Sequence, residues 1–178
     1  MATWIALFRG INVGGHNRLP MKDLVDDLTS IGLAEVRTVI QSGNVVFDSK
    51  RRSAATLARA IEAAVEDAHG FRPAVLVLDL AGFRQRLDAN PFPEATSDPK
   101  TLHLSFATEQ PRAPDLAAIE QACGPTERWK LDGNVFYLHA PDGIGRSKLA
   151  AGAEKWLGVP ATARNWRTLG KLREMAGD

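Results

Sequence analysis

The chain has 178 residues, of which 44% are hydrophobic and 24% are charged, so it can bury an ordinary globular core. Its net charge of +1 excludes a global attraction to nucleic acid or membrane, and any anion site must come from local arrangement. Cys123 is the only cysteine, which excludes an internal disulfide and favours a reducing compartment. Because no signal-peptide pattern and no bilayer-spanning apolar stretch is present, we expect a cytoplasmic protein with no membrane partner.

The first half of the chain alternates strand and helix patterns. A helix follows Pro20 with Gly32 as its expected C-cap, a hairpin turns at Ser42-Gly43, and Ser53 is suited to cap a second helix. The predicted strands cover residues 3–9, 35–41, 44–48 and 72–78, and the helices cover 20–31 and 53–68. This β-α-β-β-α-β order is the split pattern of a ferredoxin-like half.

A short helix over residues 80–89 and a polar run up to Lys100 form the expected linker, and the pattern then restarts. The second set has strands over 101–108, 127–131, 134–139 and 159–163, and helices over 114–122, 146–157 and 165–176. We therefore predict an α+β fold of two tandem ferredoxin-like halves plus a C-terminal helix. The predicted domains are 1–79, a linker over 80–100, and 101–178 with the terminal helix.

Two further patterns bear on this architecture. Residues 43–47 (GNVVF) are echoed by residues 133–137 (GNVFY) at the same place in each half, which favours an internal duplication. The strands of the first half are also apolar on both faces, so we expect the other half, the terminal helix or a second copy to cover the face that its own helices leave open.

The loop from Arg9 to Arg18 (RGINVGGHNR) is the first candidate anion site. Consecutive glycines let neighbouring N–H groups point to one side as an anion nest, and the next helix adds the positive end of its dipole. The expected ligand groups are Arg9, Asn12, Gly14, Gly15, His16 and Arg18. The glycine spacing matches neither a P-loop nor a dinucleotide fingerprint, and the alternative is a turning loop with solvated cations.

The second candidate is Gly145-Arg146-Ser147-Lys148 at the start of a predicted helix. Free N–H groups, a hydroxyl and two long cations suit a phosphate or a carboxylate, and an anion would relieve the conflict between these cations and the helix dipole. The alternative is a glycine-rich turn with Ser147 as an ordinary helix residue.

Arg164 and Trp166 form a third candidate, in which arginine binds an anion and tryptophan stacks on a planar group. The alternative is that Asn165 caps the last helix and Trp166 anchors the core. Topology suggests that the loop over residues 10–19 and the turn over residues 41–44 lie at opposite edges of their sheet. The same reasoning places Arg146 and Arg164 at opposite edges of the second sheet.

Other kinds of site lack a motif. The four histidines, His16, His69, His103 and His139, have no metal-ligand spacing, and we expect no metal site. No nucleophile elbow and no nucleophile with a paired base is evident, and no cofactor is indicated. Aromatic residues in the strands are better explained as core than as an RNA-binding surface.

Several of these motifs resemble the bacterial family known as domain of unknown function 1697. They are residues 9–24 (RGINVGGHNRLPMKDL), 38–47 (TVIQSGNVVF), 90–93 (NPFP), 145–149 (GRSKL) and 162–172 (TARNWRTLGKL). The resemblance implies two ferredoxin-like subdomains and supplies no activity. His16 stands where a lysine is expected in much of the family, so anion binding by that loop would depend on pH near neutrality.

Three functions follow as hypotheses. The leading one is a binding module for a small phosphorylated or otherwise anionic ligand, or for a nucleic-acid segment. An alternative is an enzyme acting on such a ligand, with His16 as acid or base. A third is a structural or protein-interaction domain. The fold alone does not choose among them, and whether the chain is an enzyme stays open.

Overall fold

The computed structural model describes residues 1–177, and over this range it contains eight strands and six α-helices. They are β1 (Ala2–Arg9), α1 (Met21–Ser30), β2 (Ala34–Val39), β3 (Asn44–Ser49), α2 (Ala54–His69), β4 (Ala74–Asp79), α3 (Leu80–Asp88), β5 (Leu102–Ala107), α4 (Leu116–Ala122), β6 (Arg128–Asp132), β7 (Val135–His139), α5 (Lys148–Leu157), β8 (Ala161–Asn165) and α6 (Trp166–Met175). Two short 3-10 turns cover Pro93–Ser97 and Ile144–Arg146. No described helix is long and apolar enough to cross a membrane.

The strands form two four-stranded antiparallel sheets, ordered β2-β3-β1-β4 and β6-β7-β5-β8. Both orders follow from the split β-α-β-β-α-β connection, in which the third strand of each half lies between the first and the second. The predicted α+β fold of two ferredoxin-like halves with a C-terminal helix is therefore confirmed.

The chain divides into two compact units. Unit 1 comprises Met1–Gln85 together with the chain from Gly170 onward, and unit 2 comprises Arg86–Leu169. Helix α6 spans this division, so most of the terminal helix groups with unit 1, whereas the sequence placed it with the second half. The predicted division into domains over 1–79, 80–100 and 101–178 stays a prediction.

Unit 1 has an apolar core between its sheet and helices α1 and α2. Phe8 and Phe47 on the sheet are buried with Leu24 of α1 and Ile61 of α2. The middle of the opposite sheet face is buried too, since Ile5 and its cross-strand partners Val46 and Leu78 are at most 8% exposed. Residues on both faces of β1 are therefore buried, as the apolar pattern predicted.

The internal echo does not mark equivalent positions in the two sheets. In unit 1 Val45 and Phe47 face the helices, whereas in unit 2 the residues that face them are Phe136 and Leu138. The echoed segments are thus one residue out of step, because four residues separate β2 from β3 but only two separate β6 from β7. A one-residue slip exchanges the two faces of a strand. Tandem duplication stays a prediction, supported by the element order alone.

At the end of the first sheet, Gly43 lies in tight contact with the side chains of Phe8 and Ile11. Its φ is +70°, and a Cβ built on it would lie 2.5 Å from Cβ of Phe8 and 2.6 Å from Cδ1 of Ile11. The Phe8 N–H donates to the Gly43 carbonyl at 2.8 Å, which holds the two segments together. Gly133, in the hairpin turn of unit 2, has a φ of +57° but open space around it.

We predict that Gly43→Ala destabilises the protein by about 2–5 kcal/mol, the sum of left-handed strain and overpacking. Gly133→Ala carries the strain alone and should cost about 1 kcal/mol. Urea denaturation of both variants measures the difference. Equal losses of unfolding free energy would contradict the close approach at Gly43.

In unit 2 Arg128 of β6 binds the segment that contains Asn90-Pro91-Phe92-Pro93 and holds it against the sheet. The Arg128 guanidinium lies 4.8 Å from the centre of the Phe92 ring and donates to the Glu94 carboxylate. It also donates to Nδ1 of His139 at 3.0 Å. Burial and, secondarily, the Arg128 charge lower the pKa of His139, so the folded chain holds this imidazole neutral.

This arrangement predicts a stability change near pH 6. Because the pKa of His139 is lower in the folded state, the unfolded chain takes up the proton first, and stability falls as the pH drops below about 6.5. His139→Asn keeps an oxygen that can accept from Arg128 but does not titrate, so it should lose less unfolding free energy between about pH 7.5 and 5.5. Denaturant titration at both pH values checks this, and an unchanged loss in the variant would contradict it.

Candidate functional site

The loop between β1 and α1 is folded around one side chain, Asn12. Its Nδ2 donates to the carbonyls of Leu19 and Gln41, both at 2.9 Å, and its Oδ1 accepts from the Leu19 N–H at 2.8 Å. Both amide protons of Asn12 are therefore used within the chain, so the structure assigns it to holding the loop, where the sequence predicted a ligand contact.

The two glycines that were expected to form an anion nest form a turn instead. Gly14 and Gly15 have φ values of +58° and +78°, and the His16 N–H donates to the Val13 carbonyl at 3.0 Å. Two left-handed central residues with this hydrogen bond make a tight hairpin turn. The N–H of His16 is thereby occupied, and anion binding by Gly14 and Gly15 stays a prediction that this geometry does not favour.

The loop and the β2–β3 turn lie at the same edge of the sheet, contrary to the sequence prediction. Leu7 near the end of β1 pairs with Asn44 at the start of β3, because the two strands are antiparallel. The end of β1 therefore lies beside the turn that precedes β3, and Asn12 reaches Gln41 across this edge. The prediction assigned the hairpin turn to the wrong edge.

A cleft of about 400 Å³ opens at this edge of unit 1. It is lined by Asn12, Gly15, Arg18, Leu19, Pro20, Met21 and Gln41. The side chains of Arg18 and His16 are exposed, and neither forms a hydrogen bond or ion pair with any residue of the described range 1–177. Nothing in that range therefore orients the His16 imidazole as a catalytic base would require. Arg9 is exposed and is engaged in an interaction within the chain.

In unit 2 the second candidate site begins in the 3-10 turn Ile144–Arg146, and α5 starts at Lys148, two residues later than predicted. Ser147 is 7% exposed and caps the helix, with its Oγ accepting from the Ala150 N–H at 2.9 Å. Gly145 and Arg146 are exposed in the turn that precedes the cap. The hydroxyl of Ser147 thus has a structural role, while its own proton stays available as a donor.

A cleft of about 520 Å³ lies at the start of α5. It is lined by residues 121–127, which include the end of α4 and the segment after it, and by Asp142, Gly143, Arg146, Ser147 and Lys148. Neither Arg146 nor Lys148 makes a side-chain hydrogen bond or ion pair within residues 1–177. Two of the predicted anion ligands therefore face one cleft as unpaired cations.

The same cleft contains two carboxylates with neutral partners. Oε2 of Glu127 accepts from the Gly124 N–H at 2.8 Å, and Oδ2 of Asp142 accepts from the Thr126 hydroxyl at 2.6 Å. Cys123 also lines the cleft, and burial, followed by Glu127 and Glu120, raises the pKa of its thiol. The site thus combines unpaired cations with carboxylate acceptors, and its thiol is held protonated at neutral pH.

Arg164 and Trp166 do not line this cleft. Arg164 lies in β8, donates to the Ala163 carbonyl at 2.9 Å, and has a pKa lowered to about 10 by burial, which leaves it charged at neutral pH. Trp166 is half-buried at the start of α6, and Oδ1 of Asn165 accepts from the Thr168 N–H at 2.9 Å. Asn165 therefore caps the last helix, as the alternative predicted, whereas Trp166 as a core anchor stays a prediction.

The predicted separation of Arg146 and Arg164 was also wrong. The end of β7 and the end of β8 both lie beside the start of β5, since Leu102 pairs with His139 and His103 pairs with Asn165. Thus the segment that leads to Arg146 lies at the same edge of the sheet as the end of β8. The cleft at the start of α5 nevertheless contains Arg146 and not Arg164.

Sequence reasoning missed Glu127 and Asp142 as lining residues, and it weighed Gln41 as part of a candidate site but favoured a turn. Gln41 was assigned to a turn, and the two acids lie in segments without a motif, so only the antiparallel register could have indicated them. Within the described residues, no group of three or more His, Cys, Asp or Glu side chains is placed to hold a metal ion.

Comparison with known proteins agrees with the fold. A solved structure, that of conserved bacterial protein SP0830 from Streptococcus pneumoniae, is 26% identical in sequence, has a TM-score of 0.71 and covers 98% of both chains. No curated protein sequence matches significantly. The family described as "Protein of unknown function (DUF1697)" matches residues 1–137, which contain three of the five motifs of the resemblance. Because this match covers most of the chain, the chain belongs to the DUF1697 family.

Proposed function

We propose that the cleft at the start of α5 binds a small phosphorylated or otherwise anionic ligand. The observation that carries this proposal is that Arg146 and Lys148 line one cleft of about 520 Å³ without a carboxylate partner among residues 1–177. Surface cations commonly stay solvated, but two of them beside a concave site at a helix start give an anion several donors at once.

The donors available to such an anion are of three kinds. The N–H groups of Lys148 and Leu149 begin the helix and have no acceptor one turn earlier. The Ser147 hydroxyl can donate its proton while its oxygen caps the helix. The Arg146 guanidinium can bind two oxygens of a phosphate or carboxylate in parallel.

The acceptors favour a small ligand over a nucleic-acid chain. Glu127 and Asp142 line the same cleft, and their charges would repel successive phosphates of a polymer. They would accept from hydroxyl or amino groups of a ligand that carries an anion at one end. The cleft volume also lies in the usual range of about 300–1,000 Å³ for small-molecule sites. A nucleotide or a phosphorylated metabolite has this combination of groups.

The experiment is a thermal-shift and calorimetry panel with inorganic phosphate, nucleotides, coenzyme A, phosphorylated sugars and short RNA and DNA. A ligand at about a hundredfold its Kd stabilises the folded state by roughly 2.7 kcal/mol, a shift that is readily measured. We predict a small-ligand hit whose Kd rises about tenfold or more in Arg146→Ala and in Lys148→Ala, the usual cost of losing a charge-assisted hydrogen bond.

Lys155→Ala is the matched control, since Lys155 is an exposed cation near the other end of the same helix. It should leave the Kd unchanged. Equal weakening in all three variants would indicate nonspecific charge attraction and contradict the site, as would a panel without any hit that depends on Arg146.

A further inference from the structure

The edge of unit 1 that Asn12 organises presents aliphatic side chains to solvent. Val13 and Ile40 are 66% and 52% exposed, and they are the chain neighbours of Asn12 and Gln41, which are joined by a hydrogen bond. The cleft of about 400 Å³ beside them has Leu19, Pro20 and Met21 in its lining. This combination, which we call the Val13–Ile40 surface, is a groove lined by both polar and apolar residues next to two exposed aliphatic groups.

Ile40 combines an unfavourable backbone conformation with high exposure. It has a φ of +51°, a left-handed value that is unfavourable for a β-branched residue, and more than half of its side chain is in water. Asparagine or glycine would fit this backbone with less strain. An exposed and strained isoleucine is better explained by a contact outside the chain than by the core.

The loop side of this surface carries positive charges, and the nearest acid along the chain is Asp23 in the first turn of α1. Arg9, Arg18 and Lys22 lie in the loop and at the start of α1, and no Asp or Glu occurs over residues 9–22 or 37–47. The segment before β4, at the same edge, carries Arg72, but Glu62 and Glu66 pair with it, so this group adds no net positive charge. The surface is therefore basic as well as apolar, and Arg18 borders the groove itself without a partner among residues 1–177.

The surface is also fixed before anything binds. Two further hydrogen bonds act beside those of Asn12. Nδ2 of Asn17 donates to the Gly10 carbonyl at 3.0 Å, and the His16 N–H donates to the Val13 carbonyl and closes the turn. A loop that is ordered in advance loses less conformational entropy on binding.

We propose that the Val13–Ile40 surface docks an acidic peptide segment of a partner protein, with an aliphatic side chain of the peptide in the groove and its carboxylates on Arg18 and the neighbouring cations. Charge complementarity selects the acidic partner. The protruding groups are aliphatic and not aromatic, which favours side-chain packing over the base stacking that single-stranded nucleic acid uses. This proposal concerns unit 1 and does not depend on the anion site of unit 2.

The test is selection from a displayed library of random peptides, followed by fluorescence anisotropy with the selected peptides. Wild-type protein should enrich sequences that combine Asp or Glu with Leu, Ile or Val. The Kd of these peptides should rise at least tenfold in Arg18→Glu and in Ile40→Asn. Ile40→Asn should keep or raise the melting temperature, because asparagine tolerates the left-handed backbone, so a loss of binding there is not a loss of folding.

Two control variants match these changes. Arg112→Glu reverses an exposed charge elsewhere, and Leu116→Asn removes an aliphatic group that is 49% exposed. Both should bind the peptides as the wild type does. The proposal is overturned if no acidic-aliphatic consensus emerges, if the controls lose binding as much as Arg18→Glu does, or if a single-stranded oligonucleotide occupies the surface in place of the peptides. The ligand panel proposed for unit 2 measures binding that depends on Arg146, so its outcome is independent of these results.

Discussion

The side chain of Asn12 accepts from one backbone N–H and donates to two carbonyls, one of them across the sheet edge in the β2–β3 turn. These bonds, together with the burial of Ile11 and Leu19 in the core of unit 1, give a glycine-rich loop a single shape. The close approach of Gly43 to Phe8 and Ile11 lets the turn reach this position. The cleft of unit 1, the exposure of Val13 and Ile40 and the placement of Arg18 all depend on this arrangement.

The two units fix their candidate surfaces by different means. In unit 2 a serine caps α5 and leaves the cations on both sides of it unpaired. In unit 1 helix α1 starts after Pro20 without a side-chain cap, and a loop asparagine supplies the order instead. Both sites therefore use a polar residue within the chain to position charges that the chain itself does not neutralise, which is the common feature behind the two proposals.

Local signals in the sequence predicted most of the fold. Helical spacing, the Ser53 cap and the hairpin turns predicted the observed elements to within a few residues, because each depends on neighbours in the chain. The site was harder to predict, since Asn12 and Ser147 look like ligand groups until their hydrogen-bond partners are known. Antiparallel pairing decides which loops meet. Reasoning from topology alone placed the turn at residues 41–44 and the segment that leads to Arg146 at the wrong edges of their sheets.

Hydrogen exchange at the Leu19 amide tests the role of Asn12 most directly. Asn12→Gly keeps the left-handed backbone, at a φ of +54° in the wild type, and removes only the side chain. If Asn12 holds the loop, exchange at Leu19 should accelerate about tenfold or more in this variant, consistent with the loss of at least one hydrogen bond. Amides in the centre of β1 should be unaffected. Unchanged protection at Leu19 would show that the loop keeps its shape without Asn12 and would contradict the account.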